Sequence, residues 1–367
     1  MKKLLFVANN IMMGGSEVLL RDIINHLKGS FDVDVTVAVP FGENIVDPGF
    51  FGNQVRVTSF FKRKPTSRFG RWMFSHLYLV PRIVVNCVHP FWRYHAVISF
   101  SYVHLPLIPR AKVAWVHETL PPANPNGGFR RRVYDICMMR MLNRLDHVVF
   151  VSDAARDAFL LRYRCRNAMV LSNTIDVKKI LTNAQLQPPL LVPVAGTNII
   201  SVGRLGRDKH FDRLIQVAEI LRESNEIFHL WIVGDGPARD ELERSVADSG
   251  LLAHVTFLGE QANPHCLMAQ CDLYVCTSMT EGFGLAMLEA HVLGLPIVSG
   301  DNGGVRSIVV NPEDGIITEN TVLAIAQGVK DVIRKGIRRG DHQAASFWMQ
   351  QRVKYMQAVE KLLGLVE

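Results

Sequence analysis

The stretch NIISVGRLGRDKHFDRLIQVAEILR, residues 198–222, decides the fold. Its first five residues, apolar apart from Asn198 and Ser201, predict a buried strand. From Phe211 onward, apolar side chains recur at helical spacing, and a loop rich in glycine and charge, 203–210, joins the two elements. A strand that runs through such a loop into an amphipathic helix is the repeating unit of a doubly wound parallel sheet.

The same unit recurs on both sides of this stretch. Further buried strands are predicted at 4–8, 34–39, 97–100, 112–116, 147–152, 229–233, 254–258, 273–276 and 296–299. Further helices are predicted at 16–28, 130–145, 238–249, 285–293 and 344–363. This alternation predicts an α/β protein of two Rossmann-like, doubly wound parallel-sheet domains that face a cleft.

Composition predicts the domain boundaries. Residues 182–196 hold three prolines and no charged side chain, which is typical of an interdomain linker. The first domain is then 1–181 and the second is 197–345. The segment 346–367 is predicted to be a helix that packs back on the first domain through one apolar face, formed by Phe347, Val353, Met356, Val359, Leu362 and Leu363.

The overall composition is that of a globular protein with large cores. Of the 367 residues, 48% are hydrophobic and 20% are charged, which argues against a disordered chain. No window holds the roughly 20 apolar residues that a membrane-spanning helix needs. The six cysteines form no CxxC pair and are predicted to be reduced core thiols of a cytoplasmic protein.

The formal net charge of +7 is concentrated in the first half of the chain. Basic clusters at Lys62–Lys64 and Arg130–Arg132 accompany the aromatic residues of the stretch from Phe60 to Trp72. A basic, aromatic half predicts an anionic partner, either a nucleic acid, a phospholipid surface or a phosphorylated acceptor. A solvated basic surface is the alternative interpretation.

Two carboxylates flank the segment Glu281-Gly-Phe-Gly-Leu-Ala-Met-Leu-Glu289. Its glycines fall where a loop is predicted to enter a helix, and backbone N–H groups at such a junction favour anions. The carboxylates Glu281 and Glu289 can accept hydrogen bonds from sugar or ribose hydroxyls. An ordinary helix start with acidic residues is the alternative for this segment taken alone.

Cations follow the strand of the opening stretch. Arg204 and Lys209 lie in the loop at the carboxyl end of the predicted strand, which is where parallel α/β sheets place ligands. A guanidinium and an ammonium together would neutralise a pyrophosphate. Arg207 competes for either role, and all three could be ordinary surface cations.

Two weaker signals lie in the first half. Gly14 and Gly15 precede Ser16 after the first strand, as in a turn that approaches a phosphate, although the GxGxxG spacing is absent. His117 directly follows the strand 112–116 and would face the cleft. Taken alone, a structural role is the more frequent one for such a histidine.

Together and in this order, the motifs resemble those of the retaining GT-B glycosyltransferases of glycosyltransferase family 4. The resemblance covers most of the chain. It also rests on Val151-Ser152, Asn173-Thr-Ile-Asp176, Gly234-Asp-Gly236-Pro237, Phe257-Leu-Gly259 and Phe347-Trp348. The chain departs from the family pattern at His210 and Thr174, where glycine is usual, and at Arg306, near which a glutamate is usual.

The resemblance implies a donor site for a nucleoside diphosphate sugar, with UDP-sugars favoured. The phosphates are implied to contact Gly14, Gly15, Arg204, Lys209 and the Gly284-Leu285-Ala286 backbone. The transferred sugar is implied to contact His117 and Glu281. The nucleobase is implied to contact Leu258, and the ribose is implied to contact Glu289. The expected reaction moves a hexosyl unit to a hydroxyl with the anomeric configuration retained.

The acceptor is expected on the first domain. A polyprenyl-diphosphate-linked oligosaccharide or another glycan would suit its basic, aromatic surface, at the inner face of the cytoplasmic membrane, in bacterial surface-polysaccharide assembly such as O-antigen, capsule or lipopolysaccharide. No cofactor or metal is expected, because the Asp-x-Asp spacing at 32–34 begins an early strand away from the predicted donor half.

Three rival functions remain open at this point. A sugar-nucleotide 2-epimerase shares the two-domain architecture and would convert the donor without an acceptor. A nucleic-acid-binding protein would explain the positive charge, although the sequence has no RNA-recognition, KH or helix-turn-helix signature, so no nucleic-acid partner is expected. A non-catalytic sugar-binding module fits poorly with a basic diphosphate site.

Overall fold

The computed structural model describes residues 1–11, 14–63, 66–67, 91–101, 108, 111–117, 129–186, 196–337, 340 and 343–366. The chain divides into two compact units: unit 1 is Met1–Asn173 with Val353–Glu367, and unit 2 is Thr174–Arg352. The basic-aromatic residues Lys64 and 68–72, the side chains of Arg130–Arg132 and most of the predicted linker, 187–195, lie outside the described residues.

Unit 1 contains a parallel sheet whose seven strands, among the described residues, run in the order β3-β2-β1-β4-β5-β6-β7. The strands are β1 (Lys2–Val7), β2 (Val33–Phe41), β3 (Arg56–Phe61), β4 (Ala96–Ser99), β5 (Val113–Val116), β6 (His147–Phe150) and β7 (Ala168–Val170). The helices in the described part of unit 1 include α1 (Gly15–Ser30), α2 (Phe129–Leu142) and α3 (Asp153–Leu160).

The central strands of unit 1 are apolar runs without polar alternation. Leu4, Leu5, Phe6 and Val7 of β1 are fully buried, as expected for a parallel strand that is covered on both faces. The strand order reverses direction between β1 and β4. Ligands of doubly wound sheets bind outside the carboxyl ends of the strands at such a switch point, which is where α1 begins.

Unit 2 contains a second parallel sheet, whose six strands in the described part run β10-β9-β8-β11-β12-β13. They are β8 (Thr197–Val202), β9 (Phe228–Val233), β10 (Val255–Gly259), β11 (Leu273–Cys276), β12 (Ile297–Gly300) and β13 (Gly315–Thr318). The helices are α4 (Val177–Gln185), α5 (Phe211–Glu223), α6 (Arg239–Asp248), α7 (Pro264–Met268), α8 (Leu285–Val292) and α9 (Val322–Lys335). The switch point lies between β8 and β11.

Two parallel, doubly wound sheets confirm the predicted fold class. The sequence interpretation missed β3, β7 and β13 and the helices α3, α4, α7 and α9. Residues 182–185, predicted as linker, form the end of α4 instead. The reason is that Val177 and Ile180 of α4 are buried and the helix packs against α7.

The terminal helix α10 (Gln343–Leu362) begins in unit 2 and ends in unit 1. Its predicted apolar face is partly wrong, since Phe347 and Val353 are 50% and 58% exposed. At about 100° per residue, both lie roughly a third of a turn from the buried row. That row consists of Ala345, Trp348, Tyr355, Met356, Val359 and Leu363.

Helix α10 is anchored in unit 1 through its second half. Glu360 accepts a hydrogen bond from His26 at 2.7 Å, and the Lys2 ammonium donates to the carbonyl of Gly364 at 2.8 Å. Among the described residues, no helix combines the length and the apolar character that a membrane crossing requires.

Candidate active site

A partly buried ion pair lies at the carboxyl edge of the unit 2 sheet. The Nζ of Lys209 donates to Oε1 of Glu281 at 2.6 Å, and the two side chains are only 32% and 14% exposed. Burial by itself lowers the pKa of Lys209, but the adjacent Glu281 carboxylate outweighs it and holds the pKa above its usual value. The pair joins two segments that the sequence analysis selected separately.

Lys209 ends a short turn of helix, Arg207–Lys209, after β8. The next residue, His210, has the left-handed conformation, with φ 51° and ψ 47°, and its carbonyl accepts a hydrogen bond from the Thr277 hydroxyl at 2.9 Å. The family pattern has glycine at this position, and a left-handed backbone is the physical reason, because only glycine adopts it without steric penalty.

The turn Gly234–Pro237 is hydrogen-bonded to the loop that follows β8. The carbonyl of Asp235 accepts from the N–H of Leu205, and the carbonyl of Leu205 accepts from the N–H of Ala238, both at 2.9 Å. Gly234 has φ 133°, and a Cβ there would lie 1.9 Å from the carbonyl oxygen of Gly203. Glycine at 234 is therefore required for close backbone packing. The Gly234–Pro237 turn holds the loop that carries Lys209.

Arg204 does not converge with Lys209 in this structure. Its guanidinium donates to Asp208 at 2.7 Å, and both side chains are more than half exposed. Arg207 is 92% exposed and lies 4.0 Å from Glu241. Of the three cations in this loop, Lys209 is the one held in a partly buried ion pair.

Glu281 is fixed through its backbone. It forms a parallel bridge with Gly303, and its N–H donates to the carbonyl of Asn302 at 2.9 Å. A Cβ on Gly304 would lie 2.5 Å from the carbonyl oxygen of Phe283. Glycine at 304 therefore allows close packing of its backbone against that of Phe283. Arg306 lies where this chain departs from the family pattern. Its guanidinium forms two hydrogen bonds with the Asp301 carboxylate, at 2.9 and 2.5 Å.

Helix α8 begins at Leu285, after the short segment Gly282–Gly284 that follows Glu281. Gly284 is its N-cap, in the left-handed region at φ 91°, and no side chain caps the helix. The N–H groups of Leu285 and Ala286 thus stay available at the positive end of the helix dipole, which is favourable for a phosphate.

Glu289 lies one turn into α8 and is 21% exposed. One of its oxygens is 3.5 Å from Nε2 of His265 in α7, and Nδ1 of His265 is 3.4 Å from the amide of Asn183 in α4. No sequence pattern indicated His265, since a single histidine in a five-residue helix is not distinguished by its neighbours.

Leu258 lies at an irregularity of β10, where the pairing register with β9 shifts. Its carbonyl accepts from the Gln261 side chain at 2.6 Å. The predicted contact of this segment with a nucleobase remains a prediction.

The glycine loop of unit 1 leads into α1 at the switch point between β1 and β4. Gly14 is the N-cap, again without a side-chain cap. The carboxylate of Glu17 fills the space beside it: Oε2 accepts from Ser16 at 2.8 Å, and a Cβ on Gly14 would lie 2.5 Å away. Burial raises the pKa of Glu17, and the Ser16 hydrogen bond partly offsets that effect.

His117 follows β5 at the same edge of the unit 1 sheet. Its ring lies with its centroid 4.6 Å from that of Phe100, tilted by 48°, and its Nε2 is buried without a hydrogen-bond partner in the described part of the chain. Burial lowers the pKa of His117 to about 4, against a smaller opposite effect from the Phe100 backbone. The imidazole is therefore neutral near pH 7, with one ring nitrogen free to bind a ligand.

The structure thus brings Lys209 and Glu281 together and sets Glu289 one helical turn beyond the uncapped start of α8. His117, Gly14 and Gly15 lie in unit 1. Within the described residues, no group of three His, Cys, Asp or Glu side chains is arranged to hold a metal ion.

Comparisons with known proteins follow the same division of the chain. The model of Glycosyltransferase Family 4 matches residues 13–179, and that of Glycosyl transferases group 1 matches residues 186–345. Together the two family models account for most of the chain.

Two curated relatives illustrate the level of similarity. The lipopolysaccharide core biosynthesis glycosyltransferase LpsE of Rhizobium meliloti is 30% identical over 156 residues, 42% of this chain and 44% of that protein. The N-acetylgalactosamine-N,N'-diacetylbacillosaminyl-diphospho-undecaprenol 4-alpha-N-acetylgalactosaminyltransferase of Campylobacter jejuni is 28% identical over 166 residues, 45% of this chain and 44% of that protein. The chain thus spans about half the length of these relatives.

A solved structure aligns over the whole chain. The crystal structure of Anabaena HepE in complex with UDP and glucose superposes with a TM-score of 0.76, 21% identity and full coverage of both chains. At this level of identity, the likeness shows the shared fold.

Proposed function

This chain belongs to the glycosyltransferases of the group 1 and family 4 type, and from that premise we propose that it moves a hexosyl unit from a nucleoside diphosphate sugar to a hydroxyl. The observation that carries the proposal is the partly buried Lys209–Glu281 ion pair beside the uncapped start of α8. An ammonium, free helical N–H groups and a carboxylate are what a diphosphate bonded to a sugar requires.

In the proposed mechanism, unit 2 stabilises the leaving diphosphate. Negative charge builds on the phosphate oxygens as the bond to the sugar breaks. Lys209 and the N–H groups of Leu285 and Ala286 would stabilise that charge, with exposed Arg204 turning from Asp208 to join them. Preorganised donors of this kind supply a large share of catalysis.

Glu281 serves two partners in this proposal. Its Oε1 holds Lys209, and its other oxygen accepts a hydroxyl of the transferred sugar. Glu289 accepts the ribose hydroxyls, while the contact of His117 in unit 1 with the sugar remains a prediction. The hydroxyl of the acceptor attacks from the face that the diphosphate leaves and passes its proton to the departing phosphate oxygen, so the configuration is retained.

For the donor we favour a UDP-sugar. The HepE structure was solved with UDP and glucose, which supports this choice at the level of fold. For the acceptor we favour a lipid-linked oligosaccharide in bacterial surface-polysaccharide assembly, as the name of the Campylobacter relative specifies an undecaprenyl diphosphate acceptor and LpsE is named for lipopolysaccharide core synthesis.

A thermal-shift panel of UDP-, GDP- and ADP-sugars on wild type and Glu289→Ala tests the donor site. A ligand at 100 times its Kd stabilises a protein by about 2.7 kcal/mol. We expect a UDP-sugar to raise the Tm of wild type and to have little effect on Glu289→Ala. If no sugar nucleotide shifts wild type, the proposed function is wrong.

The proposed reaction requires an acceptor but does not require a metal ion. Activity should therefore survive excess EDTA, and donor incubated alone should yield no epimeric sugar nucleotide. Loss of activity with EDTA would contradict the first statement, and a new sugar nucleotide would favour an epimerase.

We also propose that unit 1 binds the inner membrane face through its basic residues. Exposed Lys62 and Arg63 follow β3, and each such charge adds about 1 kcal/mol near an anionic surface. Replacing both with glutamine should reduce sedimentation with phosphatidylglycerol vesicles. Unchanged sedimentation would remove the support for this location.

A further inference from the structure

A polar hub, formed by Arg213 of α5 and Asn320 after β13, lies behind the Glu281 loop. Neither residue belongs to a motif that the sequence singled out. The Nη1 of Arg213 is 2.8 Å from the carbonyl of Thr277, 2.9 Å from the sulfur of Met279 and 2.8 Å from the side-chain oxygen of Asn320. Its Nη2 donates to the backbone carbonyl of Asn320 at 2.7 Å.

Asn320 extends the hub to two further loop segments. Its side-chain amide approaches the carbonyls of Ser278, Met279 and Asp301 at 3.3, 3.2 and 3.3 Å. The hub thus ties α5 to the loops that follow β11, β12 and β13. All three loops leave the carboxyl edge of the sheet, where the Lys209–Glu281 pair lies.

Each tie acts close to Glu281 in the chain or in its pairing. Met279 precedes Glu281 by two residues, and Asp301 precedes Asn302, whose carbonyl accepts the N–H of Glu281. Thr277 also donates to the carbonyl of His210, next to Lys209. Hence hub contacts hold the backbone on both sides of Glu281, and Thr277, whose carbonyl the hub binds, holds the backbone next to Lys209.

We propose that Arg213 and Asn320 are positioning residues, which hold the Glu281 carboxylate at the place where it meets Lys209 and the transferred sugar. This inference rests on the proposed function for its kinetic consequence. Their effect is expected on the sugar half of the donor, since the hub contacts none of the groups assigned to the ribose or nucleobase. Misplacing a catalytic contact by about 1 Å can lower the rate by about 10²-fold.

Asn320→Asp is the sharpest variant. It keeps the shape and the acceptor for Arg213, but it turns the amide donor that faces three carbonyls into an oxygen. Arg213→Met removes the other half of the hub. Arg222→Met is the matched control, because Arg222 lies on the same helix, is similarly half-buried, and donates to a loop carbonyl, that of Ser249.

Hydrogen exchange measured on the full chain without any substrate decides whether the hub orders the loop. We expect both hub variants to raise exchange of the amides in 277–283 by about tenfold, the equivalent of one or two net hydrogen bonds. Arg222→Met should leave these amides at the wild-type rate. Wild-type exchange in the hub variants, or an equal rise throughout unit 2, would overturn the inference.

Kinetics and nucleotide binding decide whether the ordering matters for the sugar. We expect the hub variants to lose about 10²-fold in kcat/KM, mostly in kcat, with UDP affinity unchanged. Equal losses in UDP affinity and kcat/KM would overturn the positioning role. Since the exchange measurement requires no donor, a chain that bound no sugar nucleotide would contradict the proposed function while the hub would still be judged by exchange.

Discussion

At the scale of single residues, the site depends on how charges are compensated. Lys209 is largely buried and keeps its charge because Glu281 lies 2.6 Å away. His117 is the opposite case: it has no carboxylate partner among the described residues, and burial leaves it neutral. The same sheet edges therefore offer a fixed cation in unit 2 and a neutral imidazole in unit 1.

Glu281→Gln tests the compensation of Lys209. The variant leaves an ammonium without its counter-charge and removes the proposed sugar contact. We expect kcat to fall by about 10²–10³-fold, the usual loss when one preorganised contact is removed. Steady-state kinetics on wild type, Glu281→Gln, Lys209→Met and the double variant would measure it, and strictly additive losses would show that the two residues do not act together.

His117 predicts a pH dependence of stability. Its pKa is about 4 in the folded protein and 6.5 when unfolded. Because the unfolded chain takes up the proton first, the contribution of the neutral ring is complete above pH 6.5 and is lost as the pH falls from 6.5 toward 4. We expect wild type to lose about 1–3 kcal/mol more than His117→Phe over this range.

Denaturant unfolding at pH 7.5 and pH 4.5 would measure this difference. The variant serves as the control for all other titrating groups, among them His229, whose pKa burial also lowers. An equal loss of stability in the two proteins would contradict the assignment of a buried, neutral His117.

At the scale of elements, glycines decide how closely the loops of unit 2 approach one another. The turn at Gly234 touches the loop after β8, and the segment at Gly304 touches Phe283 before α8. Both contacts are backbone against backbone, so no side chain can move aside to relieve a clash. The elements that carry Lys209 and Glu281 are placed by these contacts together with the hub.

Gly234→Ala is expected to destabilise unit 2 by more than about 2 kcal/mol, through the clash with Gly203 and a φ of 133° that alanine disfavours. Gly340→Ala is the matched control in the same unit, because a Cβ there meets nothing within 4 Å. Calorimetry of both variants would show the difference, and similar midpoints for the two would refute the packing argument.

At the scale of the whole molecule, two units with separate cores share one helix. Helix α10 starts in unit 2, where the indole N–H of Trp348 donates to Nδ1 of His291 at 3.0 Å. It ends in unit 1, where Tyr355 and Val359 are buried. Each end of the helix therefore contributes to a different core.

Val359→Asp is expected to lower the stability of unit 1 by about 4 kcal/mol or more, because it buries an unpaired carboxylate. Val353→Asp places the same change on the 58% exposed position of the same helix and should alter stability by less than about 0.5 kcal/mol. Thermal unfolding of the two variants provides the measurement. Equal destabilisation would restore the apolar face that the sequence alone predicted.

The sequence by itself determined the α/β class, the two parallel sheets and the segments that carry Lys209, Glu281, Glu289 and His117. These follow from local patterns, namely apolar runs, helical spacing and glycines at strand ends, which neighbouring residues decide. It did not reveal short edge strands such as β3 and β7, since Thr58 and Ser59 interrupt the apolar residues of β3 and β7 is only three residues long.

Only the tertiary structure decided which of these groups meet. Lys209 pairs with Glu281 across 72 positions of the chain, Arg204 turns to Asp208 instead, and Arg213 reaches Asn320 across 107 positions. The exposure of the Phe347 and Val353 side chains likewise depends on which face of α10 packs against the rest of the protein. These contacts depend on the distances between remote segments of the chain. Those distances are determined only when the folded sheets bring the segments together, so local sequence patterns do not predict them.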